Sequence, residues 1–470
     1  MQEEEKNEQF EEPKKNLGKY VWKEISTPFV NLVKASRALW GVNLTYLLEG
    51  LTYFGVVTLL AMYFNQYVGL DDANAGRMVG VLTGGITIAM LFLGATVDKI
   101  GVRKALLVSL FFMLIGRILL AGAPAWGGVE GLWSPTHIIA LLGILGIMIG
   151  YGIYQPASYA AVKIFTNKKT AAMGYAMLYA LMNLGGFLPS FVSPPIRLNY
   201  GITGVFWAYA GLTVLGILIV AIILSKSAVQ KAKEENADEP EELEEKTKEE
   251  PKDQPFSKRF INYMKKLPVT DARFMFFIFI LIPVQTLFAH NWLTLPQYCE
   301  RAFDGVVSTY FEFFVNINPI LIFFLTPTIA ALTTKKNTYK MMIWGTFIMG
   351  ASPFILTLGT NLYLLLAYIL IMTIGESMWQ PRFLQWVAEI APKNMTGIYM
   401  GFGQFPWFLT KVLTSLYSGA FLMEYVPEGV RPSIMNPEMM WLIYGVISVS
   451  SPVGLILARK WMLKGFKTST

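Results

Sequence analysis

Residues 149–156 read IGYGIYQP, and residues 374–381 read IGESMWQP. The two stretches share Ile-Gly at the start, an aromatic residue, and Gln-Pro at the end. Each lies in a long apolar segment, and these segments are the fourth and the tenth of twelve along the chain. A motif that recurs at equivalent places indicates two structural repeats of six segments each.

The twelve apolar segments are all about 20 residues or longer, which is the length that a helix needs to cross a bilayer. A charged stretch at 226–268 separates the two sets of six and cannot build a hydrophobic core. The sequence therefore predicts an all-α integral membrane protein with 12 transmembrane helices in two six-helix halves. The predicted spans are 38–66, 76–97, 103–123, 136–164, 169–195, 202–224, 272–297, 307–333, 338–358, 362–390, 397–424 and 438–459.

Composition excludes several classes of protein. The chain is 54% hydrophobic and only 15% charged, whereas soluble proteins are about a quarter charged. The net charge of +7 does not indicate a nucleic-acid partner, because the basic residues lie in short loops between apolar segments. A single cysteine and two histidines indicate neither disulfides nor a metal site. Without motifs such as H-E-x-x-H or G-x-S-x-G, we expect neither an enzyme nor a cofactor.

The basic loops predict how the chain is oriented. Loops after the second, fourth and eighth spans are rich in lysine and arginine, which places both termini and the 226–268 linker in the cytoplasm. Residues 19–36 are predicted to be a helix on the membrane surface or, equally, a structureless tether. The predicted units are a tail at 1–36, six-helix bundles at 37–225 and 269–460, the linker between them, and a tail at 461–470.

The loop between the second and third spans, LGATVDKIGVRKAL at 93–106, resembles the signature loop of the major facilitator superfamily. A glycine permits a tight turn, and an aspartate can pair with cations or with a helix N-terminus. We predict that this loop latches one of two conformations; an ordinary basic loop is the alternative. The second half carries a degenerate copy, with Thr334 at the aspartate position. The residues that fill the pattern are Gly94, Asp98, Lys99, Gly101, Arg103 and Lys104.

Charged residues inside the predicted spans are the leading candidates for a functional site, because each costs about 2.5–3.5 kcal/mol to insert at the bilayer centre. Glu376 and Glu49 lie near mid-span, and either could bind a proton or a substrate cation. Lys411 is expected to form a structural ion pair with one of them or to snorkel. Glu312 and Arg117 are expected to be water-exposed residues nearer the outer face.

Several uncharged polar residues are predicted to lie at the same depth. Tyr53 follows Glu49 by one helical turn and shares its face. The amides Gln155, Asn183 and Gln285 complete the predicted substrate site, although such amides often only link helices. The predicted substrate-binding residues are Glu376, Glu49, Tyr53, Gln155, Asn183 and Gln285, and the first two are also predicted to couple transport to protons.

Residues 179–190, 318–330 and 375–401 are similar to segments of the proton-coupled oligopeptide transporter family, a branch of that superfamily. The resemblance implies that Glu376 faces the amino group of a peptide. It implies that Glu49 is the second glutamate of the family's Glu-x-x-Glu-Arg motif, whose first glutamate and arginine are replaced by Tyr46 and Gly50. Gln155 stands where the family has a lysine, so a peptide carboxylate lacks its usual partner, and Lys411 could supply a relocated cation.

These observations together predict a secondary active transporter that works by alternating access and proton-coupled symport. Its substrate is expected to be a dipeptide, a tripeptide, or a related amine or neutral compound. The expected setting is a bacterial inner membrane, with the lipid bilayer and a small molecule as partners and the monomer as the working unit. The alternatives are an exporter of drugs or sugars and a non-transporting membrane sensor or scaffold.

Overall fold

The structure is a computed structural model that describes residues 18–19, 22–23, 26, 36–94, 96–166, 171–235, 271–333, 336–390, 402–403 and 405–464. These residues form helices and connecting turns, with no strand among them. The principal helices are α1 (Arg37–Gln66), α2 (Asp72–Leu93), α3 (Val102–Gly127), α4 (Pro135–Phe165), α5 (Ala171–Phe187), α6 (Pro189–Ile223), α7 (Ile282–Leu293), α8 (Ile317–Thr333), α9 (Thr338–Ala351), α10 (Leu362–Ile390), α11 (Phe405–Tyr425) and α12 (Pro437–Met462).

The helices begin where short polar side chains stand before the apolar segments. Asp71 accepts a hydrogen bond from the Asn74 backbone N–H at 2.7 Å, and Ser134 accepts one from His137 at 3.1 Å. Such caps satisfy backbone donors that the first helical turn leaves unpaired. The predicted boundary between the fifth and sixth spans, at residues 196–201, agrees with a kink inside Pro189–Ile223 at Gly201, where φ is +70° and the backbone leaves helical geometry.

Packing within the first six helices is repeated six helices later. The pairs α3–α4, α2–α4, α3–α6, α1–α5 and α1–α6 recur as α9–α10, α8–α10, α9–α12, α7–α11 and α7–α12. Glycines allow the closest of these crossings: a Cβ on Gly116 would lie 2.5 Å from the carbonyl oxygen of Gly143, and a Cβ on Gly345 would lie 2.9 Å from that of Gly375. This repeated packing supports the predicted division of the chain into two structurally equivalent halves.

The two halves meet mainly where α2 packs against α11, α5 against α8 and α1 against α7, and α6 also contacts the short helix Phe311–Val315 of the second half. Helix α7 is flanked by short helices, Ala272–Ile280 before it and Leu295–Ala302 after it, and α8 is preceded by Val306–Thr309 and Phe311–Val315. The predicted seventh and eighth spans are thus interrupted rather than continuous. The helix α7 lies against α1 at this interface.

Nine helical stretches among the described residues are long and apolar enough to cross a membrane. The multi-pass helical membrane fold is confirmed, and the count of twelve spans stays a prediction. The predicted surface helix at 19–36 falls largely outside the described residues. The predicted linker begins with a helix, Lys226–Glu235, and the rest of it also lies outside them.

Candidate functional site

Glu376 lies near the middle of α10 and is only 6% exposed. Its Oε2 accepts a hydrogen bond from Asn318 Nδ2 of α8 at 2.8 Å, and the same amide lies 3.0 Å from Thr373 Oγ1. No cation pairs with Glu376 in the part of the chain that the structure describes. The carboxylate is therefore held by a neutral amide and keeps the capacity to bind a proton or a cationic group.

Glu49 of α1 forms a two-pronged ion pair with Arg117 of α3. Arg117 Nη1 lies 3.0 Å from Glu49 Oε2, Nη2 donates to Oε1, and Thr213 of α6 also contacts the guanidinium. The exposed fractions of the two side chains are 3% and 1%. The expectation that Arg117 is a water-exposed residue is therefore wrong: it enters the bundle because Glu49 neutralises its charge there.

Aromatic rings surround this ion pair. Tyr53 lies 4.9 Å from Tyr151, measured between ring centroids, and Tyr46 stacks on Tyr154. The Tyr151 hydroxyl approaches the backbone carbonyl of Glu49 at 3.4 Å. These rings exclude water from the pair, which strengthens the attraction between its charges.

The predicted amides lie on different helices. Gln285 of α7 is fully buried, and its Oε1 accepts from Thr410 Oγ1 of α11 at 3.3 Å. Among the residues that the structure describes, its Nε2 has no hydrogen-bond partner. Gln155 is half-buried and lies one turn beyond Tyr151 on the same face of α4, and Asn183 is half-buried on α5. No contact joins Glu376 to Glu49 or to these three amides among the described residues, so the six predicted residues form separate groups around the interface.

Lys411 of α11 is half-buried. It pairs with neither Glu376 nor Glu49, and no other residue that the structure describes accepts a hydrogen bond from its ammonium group or forms an ion pair with it. The predicted structural ion pair is therefore wrong. Glu49 is already neutralised by Arg117, and Glu376 is bonded to Asn318.

Two ion pairs join the halves at the end of the molecule where α1 ends and α2 begins, which we call the sealed end. Asp72 of α2 accepts from Arg301 at 2.6 Å and 2.8 Å and from Gln297 at 3.1 Å, and both charged side chains are nearly buried. Arg197 of α6 lies 3.0 Å from Glu312 Oε2. Glu312 is fully buried, so the expectation that water reaches it is wrong. These contacts close that end of the interface between the halves.

A neighbouring contact at the sealed end involves Glu300 of the helix Leu295–Ala302. Gln66 Nε2 of α1 donates to its Oε1 at 3.2 Å. Burial raises the pKa of the Glu300 carboxyl, while Arg301 and the Gln66 hydrogen bond oppose that rise. The single cysteine, Cys299, is fully buried in the same helix.

The predicted latch at 94–104 lies at the opposite end of α2. Gly101 has φ of +77° and precedes α3, as the tight turn requires. Arg103 Nε donates to the Leu224 carbonyl oxygen at 2.6 Å, beyond the last turn of α6, so this contact stays within the first half. Lys99 and Lys104 are exposed. The short helix Thr96–Ile100 includes Asp98, whose side chain is outside the described part, and Gly94 ends α2.

The sequence analysis missed His290 of α7. Its ring stacks on Tyr444 of α12 with centroids 3.8 Å apart, and its nitrogens lie 2.8 Å from Thr294 Oγ1 and 3.1 Å from the Tyr417 hydroxyl. All of its hydrogen-bonding capacity is used inside the second half. Among the described residues, no group of histidine, cysteine and acidic side chains could hold a metal ion.

Known proteins resemble this chain over most of its length. Dipeptide and tripeptide permease A of Enterobacter sp. (strain 638) is 22% identical, with 91% of this chain and 92% of the permease covered. The permease of the same name from Escherichia coli (strain K12) is 21% identical, with 91% and 92% covered.

Solved structures share the fold. The peptide transporter POT in complex with sulfate has a TM-score of 0.70 at 17% identity and covers 91% of this chain and 95% of its own. A POT family transporter in complex with 5-aminolevulinic acid has a TM-score of 0.65 at 15% identity, covering 91% and 97%. The family model described as Major Facilitator Superfamily matches residues 42–415. With its two packed halves and their buried charges, this chain belongs to the major facilitator superfamily.

Proposed function

We propose that this chain is a secondary active transporter that moves short peptides, or related amines and neutral compounds, across the membrane by proton-coupled alternating access. Its membership of the major facilitator superfamily supports the transport class. The relatives named as dipeptide and tripeptide permeases support the substrate class. The buried charges described above supply the chemistry that such a cycle needs.

The observation that carries the proposal is Glu376, a buried carboxylate whose one hydrogen-bond donor within the described part of the chain is the neutral amide of Asn318. Burying a carboxylate at this depth costs free energy unless the group faces other protein groups, water or a ligand. We assign Glu376 to the amino group of the substrate or to a proton when the substrate is absent. The amides Gln155, Asn183 and Gln285 and the ring of Tyr53 are proposed to shape the cavity around it.

Glu49 is assigned to proton coupling, with Arg117 as its partner. A buried ion pair is stable while both charges remain, and protonating the carboxylate leaves the guanidinium without its counter-ion. Loss of the pair frees α1 and α3 to shift relative to each other. Arg117 thereby takes the place of the arginine that is missing from the position after Glu49.

Alternating access follows if the halves, residues 37–225 and 269–460, move as two bodies joined by the charged linker. The sealed end is closed by Asp72–Arg301 and Arg197–Glu312. The predicted latch residues Gly94, Asp98, Lys99, Gly101, Arg103 and Lys104 are proposed to act at the opposite end. The cycle then breaks one set of contacts as it makes the other.

We further propose that the protein works as a monomer in a bacterial inner membrane with both termini in the cytoplasm. The bacterial permeases support this location, and the basic loops support this orientation. In that orientation the sealed end faces outward, so the structure corresponds to a state closed to the outside.

Proteoliposome uptake tests the proposal. Purified protein is reconstituted with an imposed proton gradient, and uptake of labelled dialanine is compared with uptake of a drug and a sugar. We expect gradient-driven uptake of the peptide, and a loss of at least tenfold, which is about 1.4 kcal/mol, in Glu376→Gln. Glu424→Gln is the matched control, because Glu424 is exposed at the end of α11. Uptake of the drug or sugar alone favours an exporter, and no uptake of any solute favours a sensor.

A further inference from the structure

The position of Lys411 on α11 places its side chain away from lipid. Leu413, Leu416 and Met423 are exposed and mark the lipid-facing side of the helix. On other sides, Val412 packs against Gly84 of α2, and Thr410 bonds Gln285 of α7. At 100° per residue, Lys411 falls between the α2 and α7 contacts and opposite the exposed leucines. Its ammonium group therefore faces the interface between the two halves.

Lys411 and Glu376 lie at the same depth. Phe288 of α7 contacts Trp379 of α10 and Trp407 of α11, with ring centroids 6.2 Å and 4.9 Å apart. Glu376 precedes Trp379 by three residues, Lys411 follows Trp407 by four, and the two consecutive spans run in opposite directions. Both charged residues are therefore displaced the same way from Phe288, by about 4.5 Å for Glu376 and about 6 Å for Lys411 at 1.5 Å per residue.

Neither charge has an opposite partner within the described part of the chain. Glu376 has the Asn318 amide, and Lys411 has no described hydrogen-bond or ion-pair partner. Arg117 of the first half is not free either, because it is held by Glu49. Unpaired charges of both signs at one depth, on the two helices that flank Phe288, are complementary to a molecule that carries an amine and a carboxylate.

We propose that Lys411 binds the carboxylate of the substrate while Glu376 binds its amino group. The second half of the protein thus holds both charged ends of a zwitterion, a short peptide or an amino-acid-like compound. The rings of Phe288 and Trp407 lie beside the bound molecule. This assignment rests on the proposed transport function and makes Lys411 its specificity-determining residue.

Binding of three related compounds tests the assignment. Thermal shift and competition measure the affinity of the purified protein for dialanine, its C-terminal amide and its N-acetyl form. Wild type is expected to prefer dialanine to the amide by about tenfold or more, the equivalent of one charged contact. Lys411→Gln should lower the affinity for dialanine to that for the amide and leave the affinity for the amide unchanged, whereas Lys411→Arg should keep the preference.

Controls separate this assignment from the proposed function. Lys340→Gln, at an exposed site at the start of α9, should leave all three affinities unchanged. Glu376→Gln should lose the discrimination between dialanine and the N-acetyl form but keep that between dialanine and the amide. Equal affinity of wild type for dialanine and its amide overturns the role of Lys411, even if Lys411→Gln fails to fold. A preference for dialanine over its amide that survives in Lys411→Gln also overturns it. Failure of wild type to bind any of the three overturns the proposed peptide transport as well.

Discussion

The ion pair between Glu49 and Arg117 gives the most direct test of the site. In Arg117→Met, the Glu49 carboxylate loses every charged donor that the described residues provide, while remaining about 3% exposed. Removing one partner of a buried pair costs about 3–5 kcal/mol. Glu49→Gln strands the guanidinium and should cost a similar amount. The double variant removes both charges and should recover most of either loss.

The assay is a double-mutant cycle on the free energy of unfolding, measured by denaturant titration in mixed detergent micelles at neutral pH. Arg77→Met is the matched control, because Arg77 is exposed and bonds only Asn74 among the described residues; it should change stability by less than about 0.5 kcal/mol. A coupling free energy of at least about 2 kcal/mol is expected between Glu49 and Arg117. Losses that simply add in the double variant would refute the pair and, with it, the proposed coupling role of Arg117.

The sealed end offers two further tests. Cys299 is the only cysteine and is buried beside Arg301, so wild type should react slowly with a maleimide; Asp72→Asn breaks the ion pair with Arg301 and should raise the labelling rate at least tenfold. Asp71→Asn is the control, because asparagine also caps helices and Asp71 is exposed; equal labelling rates in the two variants would contradict the role of the Asp72–Arg301 pair in closing this end. Burial raises the pKa of the Glu300 carboxyl, so the folded protein binds this proton more tightly than the unfolded chain does. The bound proton therefore stabilises the fold at low pH, and this stabilisation is lost as the pH rises through the raised pKa. The melting temperature of Glu300→Gln should therefore increase relative to that of wild type as the pH rises above about 4.3, the ordinary pKa of glutamate. A difference in melting temperature that stays constant with pH would contradict the raised pKa of Glu300.

Hydropathy alone located most helices to within a few residues, because the length and apolar character of a span are local properties. The motif at 149–156 and 374–381 correctly predicted equivalent packing, since Gly150 and Gly375 both press against the preceding helix. The partner of Glu49 was not predictable in the same way, because Arg117 lies 68 residues away on another helix. Asp72 and Arg301 are 229 residues apart, and only the meeting of the two halves joins them.

The depth of Glu376 could be read from its flanking apolar residues, but its hydrogen-bond partner could not. Several amides lay at similar depth, and nothing local distinguished Asn318 from Asn316, which instead bonds the Glu312 carbonyl oxygen. The rotation of each helix about its axis decides such contacts. That rotation is set by packing against neighbours that a single sequence does not identify.

The glycine crossings at Gly116–Gly143 and Gly345–Gly375 have a mechanical consequence. Where backbone rests on backbone, no side chain can change rotamer to let one helix slide past the other. The α3–α4 and α9–α10 pairs should therefore move as rigid helix pairs throughout the transport cycle. Freedom to tilt must come from contacts made by side chains, such as those between α1 and α7, where the ring centroids of Phe54 and Trp292 lie 6.1 Å apart. A substitution that locks this contact should therefore block the movement of the halves while leaving each rigid helix pair intact.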